Sequence, residues 1–148
     1  MKGTEEAAYP MGKSYDQLEI GEEETYTKKI EEKDVIAFAE LTGDRNPIHI
    51  DVEFAKKSRF KQRIVHGWLT QSLVSTILGT KLPGLGTILV QVNCKYLTPV
   101  YIDDTVTVKV KLKEKLDSKK HAIFDIEWSN QNETLVAVGQ AKVIPPHE

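Results

Sequence analysis

The chain has 148 residues, 40% of them hydrophobic and 28% charged, with a formal net charge of −2. That length suits one domain with a sizeable core and falls short of two, and the near-neutral balance excludes the global basic field of a nucleic-acid binder. Cys94 is the only cysteine; it makes no intrachain disulfide and builds no thiolate metal site, so nothing demands an oxidising compartment and the cytoplasm is the expected location.

Residues 1–13 carry Lys2, Glu5 and Glu6 but not the apolar stretch of a signal peptide, and no run in the chain approaches a membrane span. They are expected to form a flexible tail, with Met11 a second candidate start, ahead of one domain over residues 14–148. Weak alternation over Glu23–Ile30 predicts a first strand. Glu31–Thr42 predicts a helix: Val35, Phe38 and Ala39 fall at i, i+3 and i+4, and the acidic first turn suits the helix dipole. Gly43 then supplies the left-handed residue that ends helices, and Asn46 before Pro47 is biased toward extended backbone. The chain is therefore expected to turn between Asp44 and His49. Ile48–Ser58 reads as irregular, with a short helix around Val52–Lys56.

A second helix is predicted over Trp68–Leu78. Leu69, Leu73 and Ile77 recur every four residues beside Val74 and Leu78, while Ser72, Ser75 and Gly79 form a small-residue stripe. A helix apolar or small on most sides is expected to be buried. The rest reads as strands. Thr87–Leu97 is one, in which Cys94 reads as a small buried hydrophobe. Thr105–Lys113 is the clearest, with Val106, Val108, Val110 and Leu112 alternating against polar residues. His121–Ser129 puts Ala122, Phe124, Ile126 and Trp128 on one face, and Thr134–Ile144 follows a turn at Asn130–Asn132. An antiparallel sheet with one polar face covers a helix with the other, an α+β arrangement.

The turn at Asp44–His49 gathers an acid, an amide and an imidazole within six residues. A carboxylate and an imidazole in one small volume orient and deprotonate water. The same residues are also ordinary turn chemistry, with Asp44 and Asn46 as turn formers and His49 as a hydrogen-bonded core histidine. Residue chemistry alone does not separate the two readings.

The stretch Phe38-Ala39-Glu40-Leu41-Thr42-Gly43-Asp44-Arg45-Asn46-Pro47-Ile48-His49, with Phe54-Ala55 and Ile64-Val65-His66-Gly67 after it, resembles the hydratase-2 motif of MaoC-like, (R)-specific enoyl-CoA hydratases. Leu78–Gly84 and Lys95–Asp104 extend the likeness, which covers roughly residues 14–145. The resemblance implies a single hotdog fold, an antiparallel sheet wrapped around a central helix. It also implies reversible syn addition of water to a trans-2-enoyl thioester, with an acyl-CoA as substrate, no cofactor and no metal, no nucleic-acid or membrane partner, and a homodimer or higher homo-oligomer.

By that pattern Asp44 and His49 are catalytic and share the water, and Asn46 helps to hold it. The Gly67 N–H, at the start of the central helix, stabilises the thioester oxygen. His66 reads as structural. Ser75 matches a supporting position on the helix, against the alternative of a serine bonded back to its own helix. Trp68 stands where the family often has a flexible residue such as methionine, and it either narrows the acyl pocket or packs in the core. Lys56, Lys57, Arg59, Lys61 and Arg63 crowd one loop; a solvated surface is the expectation, contact with coenzyme A phosphates the alternative. No His, Cys, Asp and Glu cluster shows metal-ligand spacing along the chain. A carrier-protein dehydratase and a non-catalytic acyl-CoA-binding subunit are the competing functions.

Overall fold

The computed structural model describes residues 9–147. Its elements in chain order are β1 (Glu23–Lys29), α1 (Glu32–Thr42), α2 (Pro47–Ile50), α3 (Val52–Lys56), α4 (Gly67–Ser72), α5 (Val74–Thr80), β2 (Ile88–Tyr96), β3 (Thr105–Leu116), β4 (His121–Ser129) and β5 (Leu135–Ile144), with a short 3-10 turn at Tyr15–Gln17 before β1. The five strands form one antiparallel sheet in the order β1-β3-β4-β5-β2.

Period-two alternation builds the inner face of that sheet. Val108 pairs with Trp128, Val110 with Ile126 and Leu112 with Phe124 across β3 and β4, and all six side chains are buried. Val136, Ala137, Ala141 and Val143 continue this core on β5. Each fully buried large apolar side chain contributes about 1.5–3 kcal/mol. The opposite face carries Lys109, Lys111, Asp125 and Glu127, so a slip of one residue would invert the sheet.

The central helix differs from its prediction in two ways. It is split into α4 and α5 at Leu73, which keeps helical angles (φ −63°, ψ −22°). There the N–H of Leu73 bonds to Thr70 O and that of Thr76 to Leu73 O, three residues back, a local tightening into 3-10 geometry. It is also covered on one side only. Leu73, Val74, Ile77 and Leu78 are buried, whereas Trp68, Ser72 and Ser75 are exposed. One sheet shields one face of a helix, and the small-residue stripe looks outward.

Within the tail expected over residues 1–13, Gly12 and Lys13 are bonded to the body of the domain. The Gly12 N–H bonds to Leu85 O at 2.9 Å and the Lys13 N–H to Pro83 O at 2.8 Å; residues 1–8 lie outside the described part. Cys94 is half-buried rather than buried, and burial raises its thiol pKa. Its strand β2 is a sheet edge exposing Ile88, Leu89, Val90 and Tyr96.

Candidate active site

The site begins where α1 stops. Gly43 takes the left-handed conformation at φ +83° and its N–H bonds to Ala39 O at 2.9 Å. That stop is needed because a continuing helix would carry Asp44 away from the core. Thr42 reinforces it: its hydroxyl donates to Phe38 O at 2.8 Å and accepts from the Asp44 N–H at 3.2 Å. The Asp44 carboxylate then accepts from the Asn46 N–H at 3.2 Å.

Asn46 caps α2. Its side-chain oxygen accepts from the Ile48 N–H at 3.2 Å, and Pro47 follows at the first helical position, where its missing N–H costs nothing. The turn role weighed for Asn46 is thus realised, and its amide NH2 is the part left to meet water. The short α2 delivers His49 inward, 8% exposed. His49 Nδ1 lies 2.8 Å from Ile64 O. A carbonyl only accepts, so Nδ1 carries the proton and Nε2 the lone pair.

A second segment meets this turn. The Ile64 N–H bonds to Ile48 O at 3.2 Å and the Val65 N–H to Val100 O at 2.7 Å. These bonds hold His66, 1% exposed, with its ring stacked on that of His49 at 3.9 Å between centroids and 26° between planes. Phe38 of α1 packs on the other histidine ring, His66, at 4.8 Å. His66 Nε2 lies 3.1 Å from the backbone oxygen of Asp44, so Nε2 is its protonated nitrogen. Burial lowers the pKa of His66, against an opposing pull from that carbonyl.

Asp44, His49 and His66 therefore form a cluster in which one carboxylate oxygen and one nitrogen from each ring lie within 4.8 Å of one another. This corrects the expectation drawn from linear spacing: the turn and the 64–66 segment assemble a cluster that the sequence keeps apart. Both imidazoles already use one nitrogen on a carbonyl, which leaves each ring a single nitrogen for other partners. Gly67 follows His66 directly and opens α4, whose first N–H groups have no acceptor within the helix.

The family described as MaoC like domain matches residues 17–131. The chain belongs to the MaoC-like domain family. It is 40% identical over 132 residues to a 3-hydroxybutyryl-CoA dehydratase of Methylorubrum extorquens, covering 89% of this chain and 83% of that one. It is 35% identical over 132 residues to an (R)-specific enoyl-CoA hydratase of Rhodospirillum rubrum, covering 89% and 91%. Among solved structures, an unliganded R-hydratase from Pseudomonas aeruginosa superposes with a TM-score of 0.88 at 36% identity, covering 93% of this chain and 88% of that one.

Two clefts flank the central helix of this MaoC-like domain. One, of about 310 Å³, is lined by Gly67, Thr70 and Tyr96 and by Phe60 and Arg59, with Val65, Val100 and Val136 among its apolar walls. Gly67 is tightly placed there: an added Cβ would fall 2.9 Å from Tyr96 Cε1. The other, of about 290 Å³, is lined by Trp68, Ser72, Ser75, Leu78, Gly79, Leu89 and Val92. Ser75 and Trp68 thus lie apart from the cleft that Gly67 lines. Ser75 is eight residues beyond Gly67, about 12 Å along a helix axis. Trp68 is 67% exposed, which removes the core role weighed for it.

The basic loop is mostly solvated, as expected. Arg63 pairs with Glu32 at 3.1 Å and Lys56 with Glu53 at 3.3 Å. Arg59 differs, since it lines the Gly67 cleft with its guanidinium 4.8 Å over the Phe60 ring. His66, read from sequence as structural, is placed in the site cluster with Asp44 and His49. Its signal was present, a histidine directly before the glycine, but stacking on His49 is a contact between segments seventeen residues apart.

Proposed function

We propose that this protein is an (R)-specific enoyl-CoA hydratase, a hydro-lyase that reversibly adds water to trans-2-enoyl-CoA to give (R)-3-hydroxyacyl-CoA. The observation that carries the reading is the Asp44 carboxylate within 4.8 Å of a His49 ring nitrogen, beside the glycine that opens α4. Carrier and stereochemistry rest on the relatives' names.

The geometry supports the following chemistry. A water held between the Asp44 carboxylate and the lone pair of His49 Nε2 attacks C3 of the enoyl thioester. The C3–O bond forms as the water proton passes to the pair. The C2=C3 electrons move toward the thioester oxygen, whose growing charge meets the Gly67 N–H. A proton then returns to C2 on the same face, completing syn addition. Proton transfer of this kind is worth about 10²–10⁴-fold, and one oxyanion donor about 3–4 kcal/mol. The two side chains supply every proton movement and the amide holds the oxyanion, so the proposal includes no cofactor and no metal. The acyl chain's thioester reaches Gly67 through the cleft bordered by Arg59, and Trp68 and Ser75 serve the acyl end from the second cleft.

A homodimer joined along β2 belongs to the same proposal, since an exposed, apolar edge strand is a template for a second copy. Action in the cytoplasm within fatty acid metabolism fits an acyl-CoA substrate. Mixing the protein with crotonyl-CoA tests the reading: loss of enoyl absorbance without release of free thiol, giving (R)-3-hydroxybutyryl-CoA on chiral analysis, supports it. Binding without turnover supports a non-catalytic acyl-CoA-binding subunit. Turnover of crotonyl carrier protein alone makes it a carrier-protein dehydratase.

A further inference from the structure

We propose that His66 is a positioning residue for the hydration reaction, one ring that fixes both the turn presenting Asp44 and the imidazole of His49. The proposal rests on the function above and adds a residue to its machinery. His66 touches both catalytic segments at once. Its Nε2–H holds the backbone oxygen of Asp44 at 3.1 Å, and its face lies 3.9 Å from that of His49. Phe38 packs against the same ring at 4.8 Å. At 1% exposure the ring is enclosed, so it fixes the backbone at Asp44 and the face of the His49 ring relative to each other.

Its protonation state matters as much as its place. The titratable groups facing it are His49 from α2, its ring stacked at 3.9 Å, and Asp44 from the turn, with a carboxylate oxygen within 4.8 Å of a ring nitrogen. His66 Nδ1 and Thr70 Oγ1 are both buried without a hydrogen-bond partner among the described residues. A proton on Nδ1 would place a charged N–H in a buried position that has no hydrogen-bond partner among the described residues, beside an imidazole that takes up a proton during turnover. Burial accordingly lowers the proton affinity of His66. That lowered affinity disfavours His66 as the acceptor, so the proton taken from water goes to the Asp44–His49 pair.

Two variants and one spectroscopic measurement test this. His66→Phe keeps the stacked ring and loses the bond to Asp44. It is expected to lower kcat for crotonyl-CoA by about 10- to 100-fold, in keeping with a sub-ångström misplacement of catalytic groups, while KM stays within about twofold. His66→Gln places an amide NH2 where Nε2 stood and is expected to recover most of the loss. A ring with only a packing role would give variants of lowered melting temperature and native kcat per folded molecule, and that result overturns the proposal. Should His66→Phe not fold, nitrogen-15 spectra of the native imidazoles decide: His66 is expected to be the neutral Nε2–H form at pH 8 and to take up its Nδ1 proton only below the ordinary imidazole value of 6.5, and protonation at or above that value overturns it. A native protein that hydrates no enoyl thioester would refute the function itself, and the spectra separate that failure from this one.

Discussion

Gly67→Ala isolates the thioester-binding amide from the acid–base pair. The new Cβ falls 2.9 Å from Cε1 and 3.0 Å from Cζ of Tyr96, about 0.5 Å inside ordinary carbon–carbon contact. The obstacle is the end of a side chain, so the ring swings away rather than the backbone moving. That motion strains the bond from Tyr96 Oη to Gln71 Oε1, 2.6 Å long, at a cost of about 1 kcal/mol. Alanine in place of glycine in a helix returns up to about 1 kcal/mol. Folding stability should therefore change by no more than about 1 kcal/mol in either direction.

Turnover should not be spared. The methyl sits beside the N–H that receives the thioester oxygen and holds the substrate off. Losing about 3 kcal/mol of transition-state stabilisation lowers kcat by about 10²-fold. Steady-state hydration of crotonyl-CoA, paired with a melting curve, reads both quantities. The double variant Gly67→Ala, Tyr96→Ala supplies the control. It removes the clash but keeps the methyl, so it should stay slow. Native turnover in the single variant refutes the oxyanion assignment. Native turnover in the double variant alone assigns the loss to the displaced tyrosine.

Asp44→Asn and His49→Gln should each lower kcat by at least about 10²-fold in a folded protein; near-native turnover in either removes that residue from the mechanism. Burial lowers the proton affinity of His66 below the ordinary imidazole value of 6.5, so on acidification the unfolded chain takes up this proton first. Its contribution is full above that pH and is lost as pH falls through it and below, and melting temperatures from pH 8 to 5 should fall less in His66→Gln than in the native protein. Trp68→Ala should raise kcat/KM for longer enoyl chains relative to crotonyl-CoA with little change in monomer stability, the ring being 67% exposed; an unchanged chain-length profile sinks its acyl-pocket role. Light scattering at micromolar protein should give a dimer mass, and a fully active monomer contradicts edge pairing through β2.

The fold was legible because its signals are local and periodic. Alternation from Val106 to Leu112 and from Ala122 to Trp128 placed two buried strands, and the turn chemistry from Gly43 to Pro47 located the end of α1. Less visible was anything set by contact between distant segments. The 3-10 step at Leu73 leaves no mark in a pattern that remains apolar across it. The small-residue stripe of Ser72, Ser75 and Gly79 looked like a packing face, yet small residues suit an open cleft equally well. Asn46 was legible as a turn residue and as a site residue, and only its bond to the Ile48 N–H shows which of its atoms is committed.

The two clefts also explain why the acyl end of the site was harder to read than the reacting end. Asp44, His49, His66 and Gly67 belong to two short segments joined by the bond from the Ile64 N–H to Ile48 O, so their meeting is set by one backbone contact close to the site. Trp68, by contrast, shares its cleft with Leu89 and Val92 of β2, the exposed strand proposed to pair with a second copy. Pairing there would cover the mouth of that cleft and change its volume. Chain-length preference then depends on assembly as well as on the size of residue 68, and the Trp68→Ala comparison is informative only at protein concentrations where both forms have the same mass.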